Sequence, residues 1–191
     1  MKHRLFLASS SPRRRELLQQ LGLSFEMIVA DVVEQPAAGE SPVQYVSRVA
    51  RDKARAALAR LPAGDRVLVL GADTEVVLDG EIFGKPADAA TATAMLQRLA
   101  GRTHEVISAF SLLTHEREEA AVQVSRVSFA ALGAARIDAY VATGEWSGKA
   151  GGYAIQGRAA AFITHLDGSY SGVMGLPLHA VAELLARYGE P

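Results

Sequence analysis

Val67-Leu68-Val69-Leu70-Gly71-Ala72-Asp73-Thr74-Glu75-Val76-Val77-Leu78-Asp79-Gly80-Glu81-Ile82-Phe83 is the stretch that decides the fold class. Val67 to Leu70 is an unbroken apolar run closed by a glycine, the pattern of a strand buried on both faces. Val76 to Leu78 and Glu81 to Phe83 flank Asp79-Gly80, a two-residue hairpin turn. Gly71 to Glu75 reads as a polar connection directly after the buried strand, with Asp73 at the strand end and Glu75 facing solvent.

Upstream, strands and helices alternate. Arg4 to Ala8 reads as a first strand. Ser11-Pro12 starts a helix, with serine as cap and proline where no N–H is needed. Leu17, Leu18 and Leu21 form its apolar stripe and Gly22 stops it. Phe25 to Ala30 reads as a second strand and Asp31 to Glu40 as a loop. Ser41-Pro42-Val43-Gln44 is a capping box opening a helix to about Arg60, ended by Pro62 and Gly64. Downstream, a helix spans about Asp88 to Leu99, and two long strands, His104 to Leu113 and Ala121 to Phe129, follow. Next come a short helix (Ala134 to Thr143), a glycine-rich stretch, a strand (Phe162 to Leu166) and a helix from about Pro177 to Tyr188. Helix–strand alternation followed by hairpins predicts an α/β fold built on a mixed β-sheet with flanking helices, rather than a pure doubly wound sheet.

The chain has 191 residues, 49% of them apolar, with 20 Lys+Arg, 21 Asp+Glu and no cysteine. That suits a single domain over residues 1–191. Without cysteine, thiol nucleophiles, disulfides and iron–sulfur clusters are excluded. A formal net charge of −1 speaks against binding long nucleic acids. No apolar run approaches the roughly 20 residues of a membrane span, and the basic start Met1-Lys2-His3-Arg4 is followed by too short an apolar segment for a signal peptide. A cytoplasmic protein is the expectation.

Four features carry chemistry. Arg13-Arg14-Arg15 sits in the first turn of a helix, where cations meet the positive end of the dipole. It is either a solvated basic patch or an anion site in which helix N–H groups, the hydroxyls of Ser9 to Ser11 and the arginines cradle a phosphate. Asp73, after a buried strand, is costly unless hydrogen-bonded or bound to a cation, though local backbone N–H groups could also satisfy it. Lys85, between Gly84 and Pro86, reads as a positioned ammonium or a solvated lysine; the spacing of Lys53 places it among the charges of an exposed helix face. Gly148 to Gly157 holds four glycines that allow close backbone approach to a ligand, and the amide of Gln156 can both donate and accept. The five histidines do not cluster, which leaves no zinc motif.

Taken in order, these blocks resemble the Maf family of nucleoside triphosphate pyrophosphatases. The resemblance rests on Leu7 to Leu18, Lys53-Ala54-Arg55, Gly71 to Thr74, Gly84-Lys85-Pro86, Gly101-Arg102-Thr103-His104, Lys149 to Gly157, Gly168-Ser169-Tyr170 and Gly175-Leu176-Pro177-Leu178. It implies an elongated α/β fold with a cleft between two lobes, shared with inosine-triphosphate pyrophosphatases. It implies a divalent cation (Mg2+ or Mn2+) and cleavage of a nucleoside triphosphate into monophosphate and pyrophosphate. Carried over by position, Asp73 is the general base. Arg13, Thr74 and Gln156 set base preference. Glu34, Lys53 and Lys85 handle metal and phosphates, with Glu34 and Asp73 as metal ligands and Ser9 and Arg14 joining the substrate site. Thr74 after Ala72-Asp73 resembles the dTTP/UTP branch, whereas the 7-methyl-GTP branch carries Ser-Asp-Gln there. Gly148 departs from the aspartate common in the dTTP/UTP branch, and Arg158-Ala159-Ala160 from Leu-Gly-Gly, which leaves a broader nucleotide range open. The family also suggests a homodimer, house-cleaning of modified nucleotides, and a role in arresting cell division. A nucleotide-binding regulator of septum formation without catalysis is the alternative.

Overall fold

Residues Arg4–Ala8 form β1, which leads into α1 (Pro12–Gln19); β2 (Phe25–Met27) follows, then α2 (Pro42–Leu58) and β3 (Val67–Leu78). The chain continues through β4 (Glu81–Phe83), α3 (Ala89–Leu99), β5 (Thr103–Leu113), β6 (Glu118–Phe129) and α4 (Ala134–Val141). It ends with β7 (Ile163–Asp167), α5 (Tyr170–Met174) and α6 (Leu178–Ala186). This is a computed structural model and it describes residues 3–29, 31–63 and 66–189. The expected strand end at Ala30, the helix stop at Gly64 and the basic start Met1-Lys2 lie outside the described residues.

Local signals act as read. Ser11 accepts from the Arg14 N–H at 3.4 Å. In α2 the Gln44 N–H donates to the Ser41 hydroxyl at 3.3 Å and the Ser41 N–H to Gln44 Oε1 at 2.9 Å, which completes the capping box. Asp79 and Gly80 take φ of 53° and 79° to turn β3 into β4, the left-handed pair that a tight hairpin requires.

One seven-stranded sheet runs in the order β2-β1-β3-β5-β6-β7, with β4 also pairing β3. β1 is parallel to both β2 and β3; all other pairs are antiparallel. The mixed α/β sheet with flanking helices is therefore as the sequence predicts. One expectation fails. Gly71 to Glu75 is no connection: it lies inside β3, a continuous strand of 12 residues. On one side β3 pairs with β5 from Val69 to Val77. On the other, pairing with β1 stops at Gly71 and pairing with β4 starts at Val76. Ala72 to Glu75 thus have a strand neighbour on one edge only, and the sheet is notched there.

Side chains alternate across β3. Val67, Val69 and Val77 pack beneath α2, with Ala54, Ala57, Tyr45, Val46 and Val49. Leu68, Leu70 and Ala72 pack on the other face with α1 and α6. α2 crosses so close at Gly71 that a Cβ there would sit 2.7 Å from the Ala54 N and 2.8 Å from its Cβ. Only glycine permits that approach, and it brings the next charged residue of α2, Lys53, over the notch.

One strand is shorter than expected, and one helix was not expected. β2 is only three residues long because it pairs with Leu5 to Leu7 alone at the sheet edge. α5, a helical turn capped by Ser169 accepting from the Gly172 N–H at 3.0 Å, was not expected.

Candidate functional site

The notch opens into a cleft of about 370 Å³. Ser9, Arg13, Arg14, Glu34, Lys53, Asp73, Thr74, Lys85 and Gln156 all line it, whereas Arg15 does not. They come from four places: the start of α1, the loop before α2 with α2 itself, the middle of β3 with the segment after β4, and the glycine-rich stretch.

Asp73 leaves β3 on the α2 face and is 5% exposed. Its Oδ1 accepts from Lys53 Nζ at 2.9 Å, and the same ammonium lies 2.8 Å from Glu34 Oε1. Lys85 Nζ sits 3.6 Å from Glu34 Oε2. Burial pushes the Glu34 carboxyl upward, but the Lys53 hydrogen bond and the charges of Lys53 and Lys85 outweigh it and hold it below the usual range. Lys53, whose spacing suggested an exposed helix face, has a side chain only 11% exposed, because α2 comes so close to β3 at Gly71.

Thr74 leaves the opposite face of β3, toward α1. Its hydroxyl is 2.8 Å from Ser108 Oγ and 3.3 Å from the Gly175 carbonyl, and Arg14 Nη2 approaches it at 3.4 Å. Ser108 commits its own proton to the Gly172 carbonyl at 2.6 Å, so Thr74 is the donor in the pair. Arg14 also donates from Nε to the Gly175 carbonyl at 2.9 Å and from Nη1 to Ser9 Oγ at 3.4 Å. Burial lowers the Arg14 pKa, while the carboxylates of Asp73, Glu34 and Glu75 work to raise it. Arg13 donates from Nε to the Met174 carbonyl at 3.3 Å; burial and the charge of Arg14 lower its pKa.

One cleft residue was misplaced, and another was noted only as part of its motif. Glu75, expected in solvent, is 7% exposed and lines the cleft. Burial and the charge of Asp73 push its carboxyl up to about 8. Its sequence signal was its spacing: two residues after Asp73 on one strand means the same face. Lys149, at the head of the glycine-rich stretch, also lines the cleft, and its Nζ donates to the Ser147 carbonyl at 2.9 Å. The stretch is anchored by Tyr153, whose hydroxyl is 2.8 Å from His104 Nε2, and by Gly151 pressed on Val76, where a Cβ would lie 2.9 Å from Cγ2. Gln156, at its far end, is exposed to the cleft.

Among the described residues no three His, Cys, Asp or Glu side chains form a ready-made metal site. Yet Asp73 Oδ2 and Glu75 Oε2 are buried without a hydrogen-bond partner. Such oxygens suit a hard cation of the magnesium type, which takes one or two carboxylates and draws its other ligands from substrate phosphates and water.

A family model described as "Maf-like protein" matches residues 4–188. The chain belongs to the Maf family. Among similar Maf proteins is the dTTP/UTP pyrophosphatase of Xanthomonas campestris pv. campestris, 58% identical over 187 residues, covering 97% of this chain and 98% of the relative. A nucleoside triphosphate pyrophosphatase of Xylella fastidiosa is 52% identical over 187 residues, covering 97% and 99%. Among solved structures, the Staphylococcus aureus Ham1 protein aligns at 18% identity over 66% of this chain and 70% of that one, with a TM-score of 0.46.

Proposed function

We propose that this Maf chain hydrolyses dTTP and UTP to the monophosphate and pyrophosphate with the help of Mg2+ or Mn2+, residues 1–191 acting as one domain. The observation that carries the reading is the notch in β3. It leaves Asp73 Oδ2 a buried carboxylate oxygen without a hydrogen-bond partner, on a residue that lines a cleft together with Arg13, Lys53, Lys85 and Lys149. The similarity to relatives named dTTP/UTP pyrophosphatase over nearly their whole length supports the substrate.

A triphosphate brings about four negative charges, and its hydrolysis is mainly a matter of positioning and charge stabilisation. The start of α1, with Ser9 and Arg13, and the ammonium groups of Lys53 and Lys85 supply that stabilisation. Lys53 occupies Asp73 Oδ1 and leaves Oδ2 without a partner. There Asp73 takes a proton from a water molecule. The water oxygen bonds to the α-phosphorus, the bridging α–β P–O bond breaks, and pyrophosphate leaves with the electron pair. A divalent cation would be held by carboxylates of the cleft, Asp73 among them, and when bound would neutralise phosphate charge and acidify water.

Base preference follows from the two ends of the cleft. Gln156 presents an amide, donor and acceptor together, matching the N3–H and O4 of thymine or uracil. Thr74 acts differently: with its hydroxyl proton given to Ser108, it sets the wall beside the base rather than offering a free donor. We place the enzyme in the cytoplasm as a homodimer; no helix among the described residues is long and apolar enough to cross a membrane.

The test is pyrophosphate release from dTTP, UTP, 7-methyl-GTP, ITP and 5-methyl-UTP with Mg2+ or Mn2+. Preferential turnover of dTTP and UTP is expected. Preference for 7-methyl-GTP would overturn the base assignment, and no turnover of any nucleotide would overturn the enzyme reading.

A further inference from the structure

Glu75 has no task in the reaction just described, yet it is among the most enclosed acids of the molecule, and it follows Asp73 by two positions on β3. Both side chains therefore leave the strand on the α2 face, their Cα atoms about 7 Å apart. They are 7% and 5% exposed. Each turns one carboxylate oxygen, Oε2 and Oδ2, to a buried place without a hydrogen-bond partner, and both residues line the cleft.

The surrounding cations do not account for Glu75. Lys53 is committed to Asp73 Oδ1 and Glu34 Oε1, and Lys85 lies against Glu34 Oε2. Among the described residues Glu75 forms no ion pair of 4.0 Å or less. Nor does a strand cover it: β1 has ended opposite Gly71 and β4 begins opposite Val76. Leaving a buried carboxyl oxygen without a partner is unfavourable unless a partner is to arrive. Glu34, by contrast, already has both its oxygens matched to lysines.

We propose that Glu75 is a ligand of the divalent cation, its Oε2 forming with Asp73 Oδ2 a two-carboxylate site on β3, while Glu34 across the cleft serves to position Lys53 and Lys85. This rests on the reading that the cleft works with a divalent cation. Two adjacent carboxylates on a rigid strand give the hard, oxygen-only donor set that Mg2+ and Mn2+ favour. The substrate phosphates and water complete the shell.

The test measures Mn2+ binding by the loss of the free-ion electron paramagnetic resonance signal, without nucleotide and with a non-hydrolysable α,β-imido analogue of dTTP. Glu75→Gln is expected to bind Mn2+ at least tenfold more weakly than the parent in at least one of the two conditions, and Asp73→Asn likewise. Glu75→Ala, which leaves no amide to be satisfied, is the second variant and is expected to show the same loss. Thermal melts of the metal-free variants confirm that each is folded. Unchanged Mn2+ affinity in the Glu75 variants with weakened affinity in Asp73→Asn overturns the role of Glu75 alone. Unchanged affinity in all three, or a parent protein that binds no Mn2+ in either condition, overturns the cation site as well.

Discussion

Adjacent strands β3 and β5 carry two enclosures of titratable side chains that burial has driven toward their neutral forms. In the cleft, Glu75 is pushed up to about 8 by burial and by Asp73. At the other enclosure, His104 on β5 is 2% exposed and burial pushes its imidazole down to about 4. The surroundings differ. His104 is closed in by the rings of Phe129 and Tyr153, at 5.0 Å and 5.5 Å between centroids, and bonds the Tyr153 hydroxyl. Its Nδ1 lacks a partner, but a bare neutral nitrogen costs far less than a bare carboxylate oxygen, and His104 does not line the cleft. Around Asp73 and Glu75, lysines and arginines converge and the wall is open. The same desolvation accompanies a structural plug where the enclosure is sealed, and a candidate site where it opens on charge.

The largest expected effect separates the two regions outright. Asp73→Asn should lower kcat by at least about a thousandfold, or roughly 4 kcal/mol, while His104→Gln stays within a few-fold in the same pyrophosphate-release assay. Equal losses would break the comparison.

Next comes pH. The unfolded chain takes up a proton on His104 near the ordinary value of about 6.5, the folded chain only near 4. Between those values the unfolded state binds more protons, so stability falls as pH is lowered, by about 3 kcal/mol at pH 4. Urea unfolding at pH 7 and pH 4 measures the loss, and His104→Phe should remove that share of it.

A smaller effect tests the plug itself. Tyr153→Phe deletes the partner of His104 and should cost about 1–2 kcal/mol of unfolding free energy. It should raise KM a few-fold by loosening the stretch that carries Gln156, with kcat nearly unchanged. Smallest is Thr74→Val, which removes the donor to Ser108 and should raise KM for dTTP severalfold, about 1 kcal/mol. Thr74→Ser should behave almost as the parent does; a Ser variant as impaired as the Val variant would show that the methyl group, not the hydroxyl, shapes that wall.

Much of this was legible because it is local. Ser11-Pro12, the Ser41–Gln44 box and Asp79-Gly80 act within four residues, and the structure reproduces each. The order of the motif blocks carried the family. What misled was Gly71 to Glu75. Five residues including Asp, Thr and Glu look like a loop when polarity is judged along the chain. They are strand because β5 pairs with all of them on one edge, while the missing neighbour on the other edge opens the cleft. Glu75 was misplaced for the same reason, and Lys53 because helix spacing does not reveal how near α2 lies to β3.

By itself the sequence determined most of the elements, the caps of α1 and α2, the mixed α/β class and most of the residues worth watching, since each depends on neighbours a few positions away. Only the tertiary structure decided that β3 loses a partner between Gly71 and Val76. Asp73 and Thr74 leave opposite faces of one strand, and side-chain alternation alone would separate them by the thickness of the sheet. The notch lets one cleft reach both faces, because β1 stops short and β4 starts late.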